Sequence, residues 1–189
     1  MKIYTRAGDK GKTQVIGHEV MYKSNKRVVS YGTIDELNSL VGQTRANLSK
    51  ANKGLDEELE EIQQILFDCG HDLAISSKKE GIPFMITKEL GYVAKLEDLI
   101  DKYTEPLPKI KKFILPAGSP TAAALQVDRT VTRRAERTIV DLMQGEPVND
   151  EVLRFINRLS DYFFTVARYA NLNDNGTETL YRNSKNIFR

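Results

Sequence analysis

Two stretches of this sequence carry residue types suited to gripping a polyphosphate. The first is Thr5-Arg6-Ala7-Gly8-Asp9-Lys10-Gly11-Lys12-Thr13. Its two glycines permit a tight turn and let backbone N–H groups approach an anion closely. Arg6, Lys10 and Lys12 add charge, and Thr5 and Thr13 add hydroxyl donors. The spacing from Gly8 to Gly11 is too short for a Walker A loop, and no convincing apolar helix follows Lys12-Thr13. A flexible, solvated, lysine-rich N-terminus is the competing reading. The second stretch is Arg129-Thr130-Val131-Thr132-Arg133-Arg134-Ala135-Glu136-Arg137. On a helix Arg129, Arg133, Glu136 and Arg137 share a face, with Arg134 flanking it. Four guanidinium groups this close repel one another unless acid compensates, and within the helix only Asp128 and Glu136 are near. A polyphosphate supplies oxygens in the fork geometry that arginine fits. A solvated helix face, or a helix that reads nucleic acid, stays open beside it.

A third stretch, Asn157-Arg158-Leu159-Ser160-Asp161, sets an amide next to the apolar stripe of a late helix, where a buried amide needs partners. Asn157 and Asp161 would equally serve to tie helices together. The two histidines, His18 and His71, belong to no ligand-spaced cluster. His71 reads as a helix-packing residue near Asp68 and Asp72. Cys69 lies on an apolar face with no base nearby, so it reads as core rather than nucleophile. The residues by themselves indicate no metal site.

These side chains must be positioned by helices. Periodicity at 3–4 residue spacing predicts five, over about Ser24–Ser49, Leu55–Ser77, Thr87–Thr104, Pro120–Gln144 and Asp150–Leu172. The first should align Val28, Tyr31, Asp35, Asn38, Val41 and Gly42. The second should bury Leu59, Ile62, Leu66, Cys69 and Leu73, and the third should be capped at Thr87. The fifth should bury Leu153, Ile156, Leu159, Phe163, Val166 and Ala170. Gly145-Glu146-Pro147 and the run 171–176 read as stops. No strand pattern of comparable strength alternates with the helices, so a βαβ sheet is disfavoured. Lys2–Thr5 and Phe113–Leu115 are candidates for short extended pieces. The expectation is one all-α domain over 1–189, a five-helix bundle at 24–173 between an N-terminal segment, 1–23, and a tail, 174–189.

Composition excludes several classes. The 189 residues carry a formal net charge of +2, with 40% hydrophobic and 29% charged residues. That is an ordinary globular balance. It gives no bulk electrostatic case for nucleic acid or an anionic membrane surface, so an anionic ligand needs a local cluster. One cysteine precludes an internal disulfide and suits a reducing compartment. The N-terminus lacks the apolar core of a signal peptide. No apolar run approaches the roughly 18–20 residues of a membrane span. The expectation is a soluble, cytoplasmic protein.

Taken together and in order, the motifs resemble the PduO-type cobalamin adenosyltransferases. The resemblance rests on the TRAGDKGKT stretch, Gly32-Thr33-Ile34-Asp35-Glu36-Leu37-Asn38, Phe113-Ile114-Leu115-Pro116, Arg133-Arg134-Ala135-Glu136-Arg137 and Asn157-Arg158-Leu159-Ser160-Asp161. It runs from about Ile3 to Ala170. Relatives often have threonine where this chain has Ala7, and a Gly-Gly pair where it has Ala117-Gly118.

The resemblance implies a homotrimeric five-helix bundle with ATP and corrinoid at subunit interfaces and an ordered N-terminal nucleotide-binding loop. It implies that Thr5, Arg6, Ala7, Gly8, Lys12, Thr13 and Lys23 wrap the triphosphate. Arg133, Arg134, Ala135, Glu136, Arg137 and Asn157 would hold ATP from the bundle side, with Mg²⁺ bridging phosphate oxygens. Asp35 is implied as the partner of Arg129 in building the site across the interface. Phe113 is implied to displace the lower axial ligand of cob(II)alamin, so that a reductase can deliver the electron that makes cob(I)alamin. Cobalt(I) then attacks the 5′-carbon of ATP, which removes the need for a protein nucleophile. An adenosylcobalamin-dependent enzyme would take the product. Two readings compete: an ATP-binding module that delivers corrinoid without transfer, and a helical nucleic-acid binder.

Overall fold

A computed structural model describes residues 2–77 and 80–185. Among them a small hairpin, β1 (Lys12–Gln14) and β2 (Val20–Tyr22), precedes five helices. These are α1 (Lys26–Ala46), α2 (Asp56–Ala74), α3 (Tyr92–Thr104), α4 (Pro120–Met143) and α5 (Asp150–Asn173), with 3-10 turns at Lys50–Leu55 and Lys88–Leu90. The expected five-helix architecture forms. The hairpin is an addition that periodicity did not reveal, and Lys2–Thr5 forms no strand. Ile114 does lie extended, bridged antiparallel to Leu180.

Local chemistry fixes the helix starts. Asn25 accepts a hydrogen bond from Arg27 N at 2.8 Å, which caps α1. Ser119 Oγ accepts from Ala122 N at 3.2 Å, and Pro120 brings a preset φ to the first turn of α4. Asn149 caps α5, whose first turn holds Asp150 and Glu151 against the positive end of the helix dipole. The third helix starts later than expected, at Tyr92. Gly91 takes φ 66°, a left-handed turn that separates α3 from the 3-10 turn, so Thr87 precedes the shorter piece and caps neither with its side chain.

The stripes on α2 and α5 pack as their spacing requires. Leu59, Leu66, Cys69 and Leu73 are fully buried, as are Ile156, Leu159, Phe163, Val166 and Ala170, while Leu153 packs only partly against the core. On α1 the buried residues are Arg27, Ser30, Thr33, Ile34, Leu37, Val41 and Thr44, of which only Val41 belongs to the expected stripe. Tyr31 and Asn38 are half-buried and Asp35 is exposed. Tyr31, Asp35 and Asn38 of the predicted stripe face a cavity beside α2, because the core face is rotated by one residue and includes polar groups.

Buried polar groups tie the ends of the bundle together. Arg27 donates to Leu73 O at 2.9 Å, to Glu146 Oε2 at 2.8 Å and to Pro147 O at 3.2 Å. This links α1, the end of α2 and the α4–α5 turn, and satisfies a charge that burial otherwise makes costly.

Candidate functional site

The N-terminal loop folds back on itself. Arg6 takes φ 62° and Gly11 φ 73°. Asp9 N donates to Arg6 O, Gly11 N to Gly8 O, and Lys23 N to Gly11 O at 2.9 Å. The Lys23 side chain crosses Gly8 so closely that a Cβ there would lie 3.0 Å from Nζ. The hairpin register sets Lys12 opposite Tyr22 and Thr13 opposite Met21. Lys12, Lys23 and the loop glycines are therefore held on one small frame. Thr5 Oγ1 accepts from Ala7 N at 3.4 Å, and Arg6 lies 5.6 Å from the Tyr4 ring. The frame docks on the bundle at Ile16 and Ile75: Ile16 N donates to Ala74 O and Ser76 N to Ile16 O.

The arginine face of α4 is exposed at Arg133, Arg134 and Arg137 and half-buried at Arg129. Arg134 meets Glu36 of α1 at 2.5 Å, which supplies acid from another helix. Glu136 Oε1 accepts from Asn157 Nδ2 at 2.7 Å, joining α4 to α5. Arg137 donates to Arg133 O. Arg133 is exposed, and among the described residues its guanidinium has no hydrogen bond or ion pair. Ala135 is fully buried in the core, so its methyl group packs α4 against the bundle. Within the single chain Arg129 Nε donates to Gln126 Oε1 at 2.8 Å rather than to Asp35. Burial and the adjacent Arg133 push its pKa below the ordinary value.

Asp35 lies instead on the wall of a cavity of about 530 Å³ between α1 and α2. Tyr31, Ile34, Leu66, Phe67 and Met85 make the lining mostly apolar, while Asn38 and His71 add polar groups. His71 Nδ1 sits 3.1 Å from Asp72 Oδ1. Sequence reasoning had singled out none of Tyr31, Phe67 and Met85 for a site. One signal was present: Phe67 falls out of phase with the buried stripe of α2, and 72% of it is exposed. An exposed ring beside an apolar cavity suits a flat, apolar ligand.

Phe113 is 60% exposed on the connection from α3 to α4. The C-terminal segment holds its backbone: Tyr181 N donates to Phe113 O at 2.7 Å, Leu115 N to Thr179 O at 2.8 Å, and Phe113 N to Ser184 Oγ at 2.9 Å. No side-chain pattern in 174–185 signals this pairing. Cys69 is fully buried and its thiol is pushed well above its usual pKa by burial, which removes it as a nucleophile.

These features find counterparts in known proteins. The sequence profile for cobalamin adenosyltransferase matches residues 3–170. The corrinoid adenosyltransferase of Bacillus subtilis (strain 168) is 48% identical over 100% of this chain and 96% of its own length. Corrinoid adenosyltransferase MMAB of Homo sapiens is 41% identical over 95% of this chain and 73% of its own. Among solved structures, a variant PduO-type ATP:corrinoid adenosyltransferase from Lactobacillus reuteri, complexed with cobalamin and ATP, superposes with a TM-score of 0.96 at 53% identity. That match covers 99% of this chain and 100% of the other. Profile, relatives and fold agree along essentially the whole length, and the chain belongs to the cobalamin adenosyltransferase family.

Proposed function

We propose that this chain transfers the 5′-deoxyadenosyl group of ATP to the cobalt of cob(I)alamin, forming adenosylcobalamin and releasing triphosphate. The observation that carries this reading is the full-length likeness, at 53% identity, to an adenosyltransferase holding both cobalamin and ATP. The local chemistry agrees with it. A cationic glycine loop and an arginine face suit the triphosphate, and an apolar cavity suits a corrin face.

The electron pair on cobalt(I) forms the bond to the 5′-carbon. The carbon–oxygen bond to the triphosphate breaks, and its pair leaves on that oxygen. Cobalt is formally oxidised by two electrons, and the protein need supply neither nucleophile nor general base. Its work is to orient the 5′-carbon and to stabilise negative charge on the leaving group. Thr5, Arg6, Ala7, Gly8, Lys12, Thr13 and Lys23 surround the phosphates in this reading. Arg133 meets the leaving oxygens, flanked by Arg134 and Arg137, while the Glu136–Asn157 pair fixes the helices beneath. The loop's donor set of cations and hydroxyls fits phosphate oxygens rather than a metal ion. Mg²⁺ then arrives on the nucleotide, where it neutralises phosphate charge.

Cob(II)alamin must first lose its lower ligand to become reducible, and Phe113 fills that space. Membership of the family supports a homotrimer whose sites close between subunits, with Asp35 meeting Arg129 across the contact and the exposed Phe113 and Arg133 facing it. A reductase supplies the electron, an adenosylcobalamin-dependent enzyme receives the product, and the buried free thiol of Cys69 suits the reducing cytoplasm.

Phosphorus NMR of the turnover mixture tests the chemistry. Intact tripolyphosphate should appear, one per adenosylcobalamin formed. ADP with phosphate, or AMP with pyrophosphate, would place attack at phosphorus and contradict the proposal.

A further inference from the structure

The connection that carries Phe113 has almost no regular structure of its own, yet both its ends and the tail beside it converge on one face of α5. Arg168 is buried, with 7% of its surface exposed. Its Nη2 donates to Pro108 O at 2.8 Å, ahead of Phe113. Its Nε donates to Glu178 Oε1 at 2.5 Å, and Nη2 lies 3.3 Å from Oε2 of the same carboxylate. Glu178 directly precedes Thr179, whose carbonyl accepts from Leu115 N.

One turn along, Asn171 repeats the pattern. Its Oδ1 accepts from Ser119 N at 2.9 Å, behind Phe113, and its backbone oxygen accepts from Gly176 N at 2.7 Å. Space there is tight: a Cβ at either Gly118 or Gly176 would lie well inside contact distance of Asn171 Oδ1. Each of the two α5 residues therefore grips the Phe113 connection with one group and the tail with another. Between the grips, the tail's own bonds hold the backbone of Phe113 and Leu115.

We propose that Arg168 and Asn171 are positioning residues for Phe113, setting the height and orientation of its ring against the corrin while touching neither substrate. Arg168 is the more exacting of the two. Its planar fork serves a carbonyl and a carboxylate at once, which a lysine ammonium does not reproduce. Loosening this grip moves the ring without altering the triphosphate site, so the two half-reactions should separate. The assignment rests on the adenosyltransferase reading above.

The test compares Arg168→Lys and Asn171→Ala with wild type and Phe113→Ala, and Glu178→Gln serves as a milder probe of the Arg168 contact. Two starting materials are used with ATP: cob(II)alamin with a reductant, and chemically pre-reduced cob(I)alamin. From cob(II)alamin Arg168→Lys and Asn171→Ala should lose about tenfold or more in rate, as expected when a group is displaced by about an ångström. From cob(I)alamin they should stay within about threefold of wild type, since no transition-state contact has gone. The electron paramagnetic resonance signature of four-coordinate cobalt(II) should fall in parallel. Equal losses on both routes, accompanied by a lower Tm, would make the two residues merely structural. Full activity on both routes would also overturn the assignment. If wild type itself makes no adenosylcobalamin from cob(I)alamin, the enzymatic reading fails first, and this role with it.

Discussion

At the scale of single residues, the chemistry is concentrated in groups whose neighbours leave them available. Arg134 is engaged by Glu36 and Glu136 by Asn157, so Arg133 is the guanidinium with the freest approach to a ligand. Arg133→Ala should lower kcat/KM by about 2–4 kcal/mol if it stabilises the leaving triphosphate. Steady-state kinetics with ATP varied checks this, and unchanged efficiency would remove Arg133 from the site. Asp128 is a different case. It is buried on α4 and accepts a hydrogen bond from Thr44 Oγ1 at 2.7 Å. Burial raises its pKa from 3.8 to about 7, outweighing the Thr44 bond. The folded state then holds this proton where the unfolded chain has lost it, so stability falls as pH rises from about 4 to about 7 and levels off above. Asp128→Asn should remove that slope, worth up to about 4 kcal/mol, in denaturant midpoints measured from pH 4.5 to 8. A wild-type midpoint flat across that range would contradict the assignment. Asn157 stands beside an apolar stripe in the sequence, but its side chain is exposed rather than buried and reaches across to Glu136. Phe67 was not legible in the sequence, because it falls outside the buried period of α2, and Met85 was not, because it lies on the irregular connection between α2 and α3.

At the scale of elements, long periodic stretches were legible and short irregular ones were not. The stripes of α2 and α5 each repeat over several turns, so their buried faces follow from spacing. The hairpin is three residues per strand inside a charged loop, too short to display alternation. Pairing of the tail with the Phe113 connection uses backbone groups, which leave no trace in side-chain order. The start of α3 shifted because one glycine took a left-handed turn. Gly118 is a second such point, with φ 132° and Asn171 Oδ1 pressed against it. Gly118→Ala should therefore cost about 1–3 kcal/mol of stability through strain and crowding. It should also slow turnover from cob(II)alamin more than turnover from cob(I)alamin. Thermal melts and the two-route assay read these effects. A variant as stable as wild type would mean that the connection relaxes without cost.

At the scale of the whole molecule, the bundle is a rigid frame with its chemistry on the outside. The hairpin that carries the loop of residues 5–13 docks through Ile16 at the end of α2, the arginines line α4, and Phe113 stands on a connection pinned to α5. Arg133, Arg134, Arg137 and Phe113 are exposed in the single chain, and Arg129 is half-buried. A net charge of +2 leaves phosphate affinity to these local clusters. The fold class was legible because helix burial follows a simple period. The cavity between α1 and α2 was not, since it depends on how α1 rotates against α2. The central claim is that cobalt, rather than any protein group, attacks the 5′-carbon of ATP. Absorbance spectroscopy of the purified protein with ATP and chemically reduced cob(I)alamin tests it most directly. The account predicts conversion to the spectrum of adenosylcobalamin, dependent on both protein and ATP, with light then cleaving the new cobalt–carbon bond. A corrinoid that only reoxidises to cob(II)alamin under those conditions, with ATP unchanged, would contradict it.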